Sequence, residues 1–174
     1  GDSKDVFITL ASEMAEGSWR QVKSFFEAAP QVFPRIESGQ EREFIRLVKG
    51  LLAVNSTNIP GTMLELSEAL SQLEKDDCGQ LLILAKELLE VSPRAMPEFV
   101  KISPSVLQRV SMIQLQKWFR EGMSVLEENA EAGLAFFKGE STRSERALET
   151  LSSSVELDRI KDVIEMYCMA LAGA

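Results

Sequence analysis

The segment Pro30-Gln31-Val32-Phe33-Pro34-Arg35-Ile36 returns 74 residues later as Pro104-Ser105-Val106-Leu107-Gln108-Arg109-Val110, in the pattern Pro-x-Val-(Phe/Leu)-x-Arg-(Ile/Val). That offset is twice 37, and steps of 37 also carry Leu51-Leu52 onto Leu88-Leu89 and then onto Val125-Leu126. Phe25-Phe26 and Phe136-Phe137 stand three such steps apart. A fixed period of this length is the mark of stacked helical units, each unable to bury its apolar face alone. The expected fold is therefore all-α, a solenoid-like array of about four helical-pair repeats with period 37. The tetratricopeptide signature is absent, which points to a HEAT- or armadillo-like array.

The side chains between these landmarks follow the same plan. Adding 37 to Val22, Phe26, Ala29, Phe33 and Ile36 gives Ile59, Met63, Leu66, Leu70 and Leu73. Adding it again gives Met96, Val100, Ser103, Leu107 and Val110, with Ser103 the polar departure. Second helices of the units carry Phe44, Leu47, Val48, Leu51 and Leu52 on one side, then Leu81, Leu84, Ala85, Leu88 and Leu89, and then, over about 112–128, Ile113, Leu115, Trp118, Phe119, Val125 and Leu126.

A first helix is expected over 5–16, and Ser18/Gln21, Ser38/Glu41, Thr62/Glu65 and Thr142/Glu145 have capping-box spacing. Pro60-Gly61 reads as a breaker. Asp76-Asp77 suits a helix start, where the backbone dipole favours negative charge. Pro30 and Pro104 predict similar bends. A helix opening at Thr142 and a separate last helix over about 157–172, with Leu157, Ile160, Val163, Ile164, Tyr167 and Leu171, are expected to close the array. The whole chain, 1–174, reads as a single helical-repeat domain, with 1–18 as an N-terminal cap, 19–138 as repeats and 139–174 as C-terminal capping helices. Gly1 in place of Met and the abrupt ending predict a fragment of a longer protein.

Composition narrows the function classes. Apolar residues make up 45% and charged residues 26% of the 174, close to the averages for a soluble globular domain with one core. Lys and Arg number 19 against 27 Asp and Glu, a net charge of −8. That balance opposes nucleic-acid binding, which needs a basic footprint. The absence of His removes Ser-His and Cys-His nucleophile pairs and every His-containing metal site. Cys78 and Cys168 lack CxxC spacing and fit buried small hydrophobes in a reducing, cytoplasmic setting. No apolar run reaches the length of a membrane span, and the N-terminus has no signal-peptide pattern. Catalytic residues, cofactor and metal are all expected to be none.

Candidate partner contacts come from charge placement. Arg35 and Arg109 occupy equivalent repeat positions, and a guanidinium fork suits an anion or an acidic peptide. The bland reading of the same position is a salt bridge or a carbonyl cap between repeats. Glu127 and Glu128, with Glu131, crowd a helix C-terminus, where negative charge is unfavourable, so they are candidates for an external contact or a solvated surface. The phenylalanine pairs, Trp19, Trp118 and the seven methionines sit on the apolar period and read as core. Ser141–Ser144 offers hydroxyls for phosphorylation or for helix capping.

The positions Trp118, Gly122, Ala135-Phe136-Phe137, Glu140-Ser141, Ser144, Leu148, Leu151, Val155-Glu156-Leu157 and Ala170-Leu171-Ala172-Gly173, with Trp19, Phe25-Phe26 and Pro30-x-Val-Phe upstream, carry a resemblance. They resemble the helical repeat region ahead of the von Willebrand factor A domain in bacterial proteins of the nitric-oxide-reductase activation (NorD-like) type. The resemblance implies a docking platform within a larger assembly or activation factor, with a MoxR-type ATPase or a client enzyme as partner. The Asp-x-Ser-x-Ser metal motif of the A domain is absent here. The expected function is a non-enzymatic protein-interaction scaffold. The alternatives are a small-molecule- or metal-binding helical bundle, or a phosphorylation-switched regulatory domain.

Overall fold

The computed structural model describes residues 41–53 and 59–173, with isolated helical positions at 8, 11, 12, 23, 26, 27 and 30. Among the residues described continuously the α-helices are, in order, α1 (Glu41–Ala53), α2 (Ile59–Ser71), α3 (Lys75–Val91), α4 (Ala95–Leu107), α5 (Met112–Glu128), α6 (Ala130–Phe137) and α7 (Thr142–Ala172). Among the described residues there is no strand. The all-α class expected from the periodicity is what the chain adopts.

Helices pack on their second neighbours in the chain. α1 packs on α3, α3 on α5 and α5 on α7, while α2 packs on α4 and α4 on α6. Two layers result, joined by contacts of α3 with α4, α4 with α5, α5 with α6 and α6 with α7. The core between them is continuous, running from Phe44, Leu47, Val48 and Leu51 in α1 to Leu148 in α7. Polar links between helices fall at recurring separations. Arg94 meets Glu131, 37 residues on, and the Gln114 side-chain amide donates to the Leu151 carbonyl, also 37 on. Gln116 meets Gln80 and Arg109 meets Glu145, each 36 residues apart.

Toward α6 the core becomes aromatic. Phe99, Trp118, Phe119, Phe136 and Phe137 are fully buried. The Phe99 and Phe119 rings meet edge-on at 5.0 Å, and Trp118 and Phe136 lie 5.1 Å apart. Gly122 is what allows α6 so close to α5: a Cβ there would stand 2.5 Å from Phe137 Cζ and 2.8 Å from Phe136 Cδ1. Gly139, at φ 73°, takes the left-handed turn between α6 and α7 that a side chain would strain.

Several local expectations are corrected. Thr62 does not cap α2, which begins at Ile59 with Pro60 in its first turn. Proline has no hydrogen bond to lose there, so Pro60-Gly61 starts the helix instead of breaking it. α4 runs uninterrupted through Pro104 to Leu107, with the Gln108 amide donating to the Pro104 carbonyl at 3.2 Å. The expected break is absent because proline removes one hydrogen bond near the helix end, while Phe99, Val100, Ser103 and Val106 hold both sides in the core.

Ser141, one residue before the expected Thr142, caps α7 by accepting from the Ser144 amide at 3.0 Å. Ser111 and Gln114 form the capping box of α5. The two helices expected after Gly139 are one 31-residue helix, because no Gly or Pro intervenes between Thr142 and Ala172. Asp76 and Asp77 do lie in the first turn of α3, as expected. The Ser18 and Ser38 caps, most of the 5–16 helix, the Ala29-Pro30 bend and Trp19 lie outside the described residues.

Candidate interaction face

The α3–α5–α7 layer has two successive clefts on its surface. The cleft between α3 and α5, about 330 Å³, is lined by Gln80, Ile83, Leu84, Ile113, Gln116, Lys117 and Arg120. The cleft between α5 and α7, about 350 Å³, is lined by Lys117, Trp118, Glu121, Arg143, Arg146, Ala147, Thr150 and Leu151. Lys117 borders both. These positions are available because helical period forces α5 to present one face to the core, with Leu115, Trp118, Phe119 and Val125, and to turn Ile113, Lys117 and Arg120 outward. Ile83 and Ile113, at 46% and 69% exposure, are apolar floor left open to water. The expectation that Ile113 belongs to the core is corrected: it lies on the opposite side of α5 from Leu115, Trp118 and Phe119.

Ion pairs bridge the same helices. Arg120 of α5 forks onto both carboxylate oxygens of Glu87 in α3 and lies 5.5 Å over the Phe119 ring. Arg143 of α7 reaches Glu121 at 2.6 Å and Glu128 at 3.0 Å in α5. The hydrogen bonds that the guanidiniums donate to these carboxylates hold the pKa of both above its ordinary range. The layer thus combines anchored cations with open apolar patches, a chemistry suited to a polypeptide with acidic and apolar side chains.

The residues singled out from the sequence do not converge on one site. Arg109 pairs with Glu145 at 2.8 Å, Glu131 pairs with Arg94 at 3.0 Å, and Glu128 is the carboxylate that receives Arg143. The Arg109 side-chain hydrogen bond holds the Glu145 carboxyl below its usual range. Glu127 is exposed in the last turn of α5, and Arg35 lies outside the described residues. Sequence reasoning missed Lys117, Arg120 and Arg143. A search for opposite charges about one period apart would have found Glu87 with Arg120, 33 residues on, and Arg94 with Glu131.

The aromatic reading is split. Trp118, Phe136 and Phe137 are core, whereas Phe26 is 39% exposed. Met63, Met96 and Met112 are buried, but Met166 and Met169 are exposed. Cys78 is buried and donates toward the Leu70 carbonyl, while Cys168 is exposed, and both are free thiols. Met166, Cys168 and Met169 depart from expectation because they ride on the part of α7 where every described side chain is exposed. Ser141 and Ser144 are both engaged in capping, and Ser144 is fully buried.

A third cleft of about 400 Å³, on the other layer, is walled by Glu98, Lys101, Ile102, Ser105, Lys138 and Glu140. No group of three or more metal-capable side chains converges among the described residues, and no described helix is long and apolar enough to cross a membrane. Comparisons with protein-family models, with curated proteins and with solved structures found no match to this chain.

Proposed function

We propose that this chain is a non-enzymatic docking scaffold, a HEAT- or armadillo-like array of helical pairs that presents the α3–α5–α7 layer to a partner protein. The observation that carries this reading is the pair of successive clefts sharing Lys117, on a layer whose helices are tied across by Arg120–Glu87 and Arg143–Glu121. Packing of each helix on its second neighbour, with polar links 36 and 37 residues apart, supports a repeat architecture. Free thiols at Cys78 and Cys168 fit a reducing, cytoplasmic setting. The NorD-like resemblance makes the platform part of a larger activation factor and its partner a MoxR-type ATPase or a client enzyme.

The test is affinity capture from extract with the wild-type chain and with the double variant Ile113→Asp/Lys117→Glu as baits, followed by mass spectrometry. Both residues are exposed, so the variant keeps its fold. A partner retained by the wild type and lost from the variant is the expected result. Identical retention by both baits would remove this face from the reading.

A further inference from the structure

The first part of α7 belongs to the body: Leu148 is buried, and Ala147, Leu151 and Ser152 are half-buried. From Ser153 to Gly173 every side chain described is exposed. An arm of this length extends for roughly 30 Å. Leu157, Ile160, Ile164, Tyr167 and Leu171 recur along it in steps of three and four, with Val163 beside them, at exposures of 54% to 68%. On a helical wheel these six, with Cys168, fall in one stripe about 140° wide, the width of a face that packs against a neighbour. A lone helix of this length is marginal in water without packing on its apolar side.

We propose that this arm is a homodimerisation element, packing antiparallel along the same stripe of a second copy. The spacing is self-complementary, since repeated steps of three and four form a heptad seam that fits its own copy. At roughly 100 Å² per side chain, two copies of the stripe bury about 1,200 Å², the lower end of stable interfaces. The charges fit the same occupant. Lys161 and Glu165 flank the stripe on one edge, and antiparallel packing centred at the level of Val163 brings Lys161 of each copy across from Glu165 of the other. It also sends the two bodies, each part of a chain of net charge −8, to opposite ends of the helix pair, where a parallel arrangement would set them side by side. A lipid surface fits less well, because the polar face of the arm carries Asp158, Asp162 and Glu165 against Arg159 and Lys161, and anionic membranes select basic faces.

Sedimentation equilibrium of the full chain between about 1 and 200 µM tests this, the dissociation constant expected for such an area being micromolar. The 19.4 kDa chain is expected to double in mass across that range. Ile164→Asp is expected to weaken the dimer at least 30-fold while the fluorescence of Trp118, buried in the body, stays unchanged. Met169→Asp, at an exposed site of the same arm but off the stripe, leaves it intact. A monomer throughout, or equal loss in both variants, overturns the proposal. Orientation is read from nitroxides at Ser153→Cys in a Cys168→Ser background: roughly 30 Å between labels is the antiparallel result, and about 10 Å overturns it. This test is independent of the docking face on α3–α5–α7.

Discussion

The indole nitrogen of Trp118 donates to the hydroxyl oxygen of Ser144 at 3.2 Å, and the Ser144 amide in turn donates to the Ser141 hydroxyl at 3.0 Å. One chain of hydrogen bonds therefore joins the centre of α5 to the first turn of α7. Trp118 and Ser144 are fully buried, so the indole N–H has no water to turn to if its acceptor is removed. Ser144→Ala is expected to cost about 1–3 kcal/mol, the penalty of an orphaned buried donor. Urea unfolding checks it through a lower midpoint at unchanged slope. Trp118→Phe in the Ser144→Ala background should be less damaging than the sum of the single changes, because it removes the orphan.

Gly122 governs the contact of α5 with α6. An added methyl would fall within 3 Å of both Phe136 and Phe137, whose rings are themselves wedged against Phe99 and Trp118. Gly122→Ala gains helix propensity but overpacks the aromatic core, and overpacking of this kind costs about 1–3 kcal/mol. The expected outcome in calorimetry is a melting temperature lower by roughly 4–10 °C.

Two carboxyls give opposite pH dependences. Burial pushes the Glu65 carboxyl up, with Lys101 pulling it down and Glu98 and Glu68 adding to the rise. Its folded form therefore favours the proton, and its stability contribution is full below the unfolded value and lost as pH rises through the raised folded value. Glu65→Gln is expected to raise the melting temperature at neutral pH and to have little effect near pH 4.

Glu145 behaves in reverse. The Arg109 hydrogen bond lowers its folded value, so its contribution is present above the unfolded carboxyl range and lost as pH falls through the lowered value. Glu145→Gln should lower the melting temperature at pH 7 and have no effect once the carboxyl is protonated in both states. A melting series from pH 2 to 7 separates the two variants.

Ser152 marks where α7 leaves the body. Its hydroxyl is buried without a hydrogen-bond partner, a cost with no return in the folded chain. Ser152→Ala is expected to stabilise by about 0.5–1 kcal/mol, measurable by denaturant unfolding.

Taken alone, the sequence determined the helical class and most of the core. The apolar spacing of Leu81, Leu84, Ala85, Leu88 and Leu89 leaves only one face to bury, and all five are buried in α3. The range 112–128 was legible for α5 from its apolar period, and the structure adds the capping box of Ser111 and Gln114 that closes its start. Punctuation was less legible. Pro60 and Pro104 carry the same local signal, and what they do depends on distance from a helix end and on the packing on either side.

Charges were least legible of all. Arg109 and Glu131 were visible as charged positions, but their partners Glu145 and Arg94 lie about one period away, and only stacking of the helices brings them together. Tertiary structure alone also decided which apolar stripes are covered. Leu115 in α5 and Ile164 in α7 are alike as hydrophobes on a periodic face, yet one is fully buried and the other 55% exposed. Periodicity reports that a face must be covered; whether a neighbouring helix supplies the cover is a property of the packed layers.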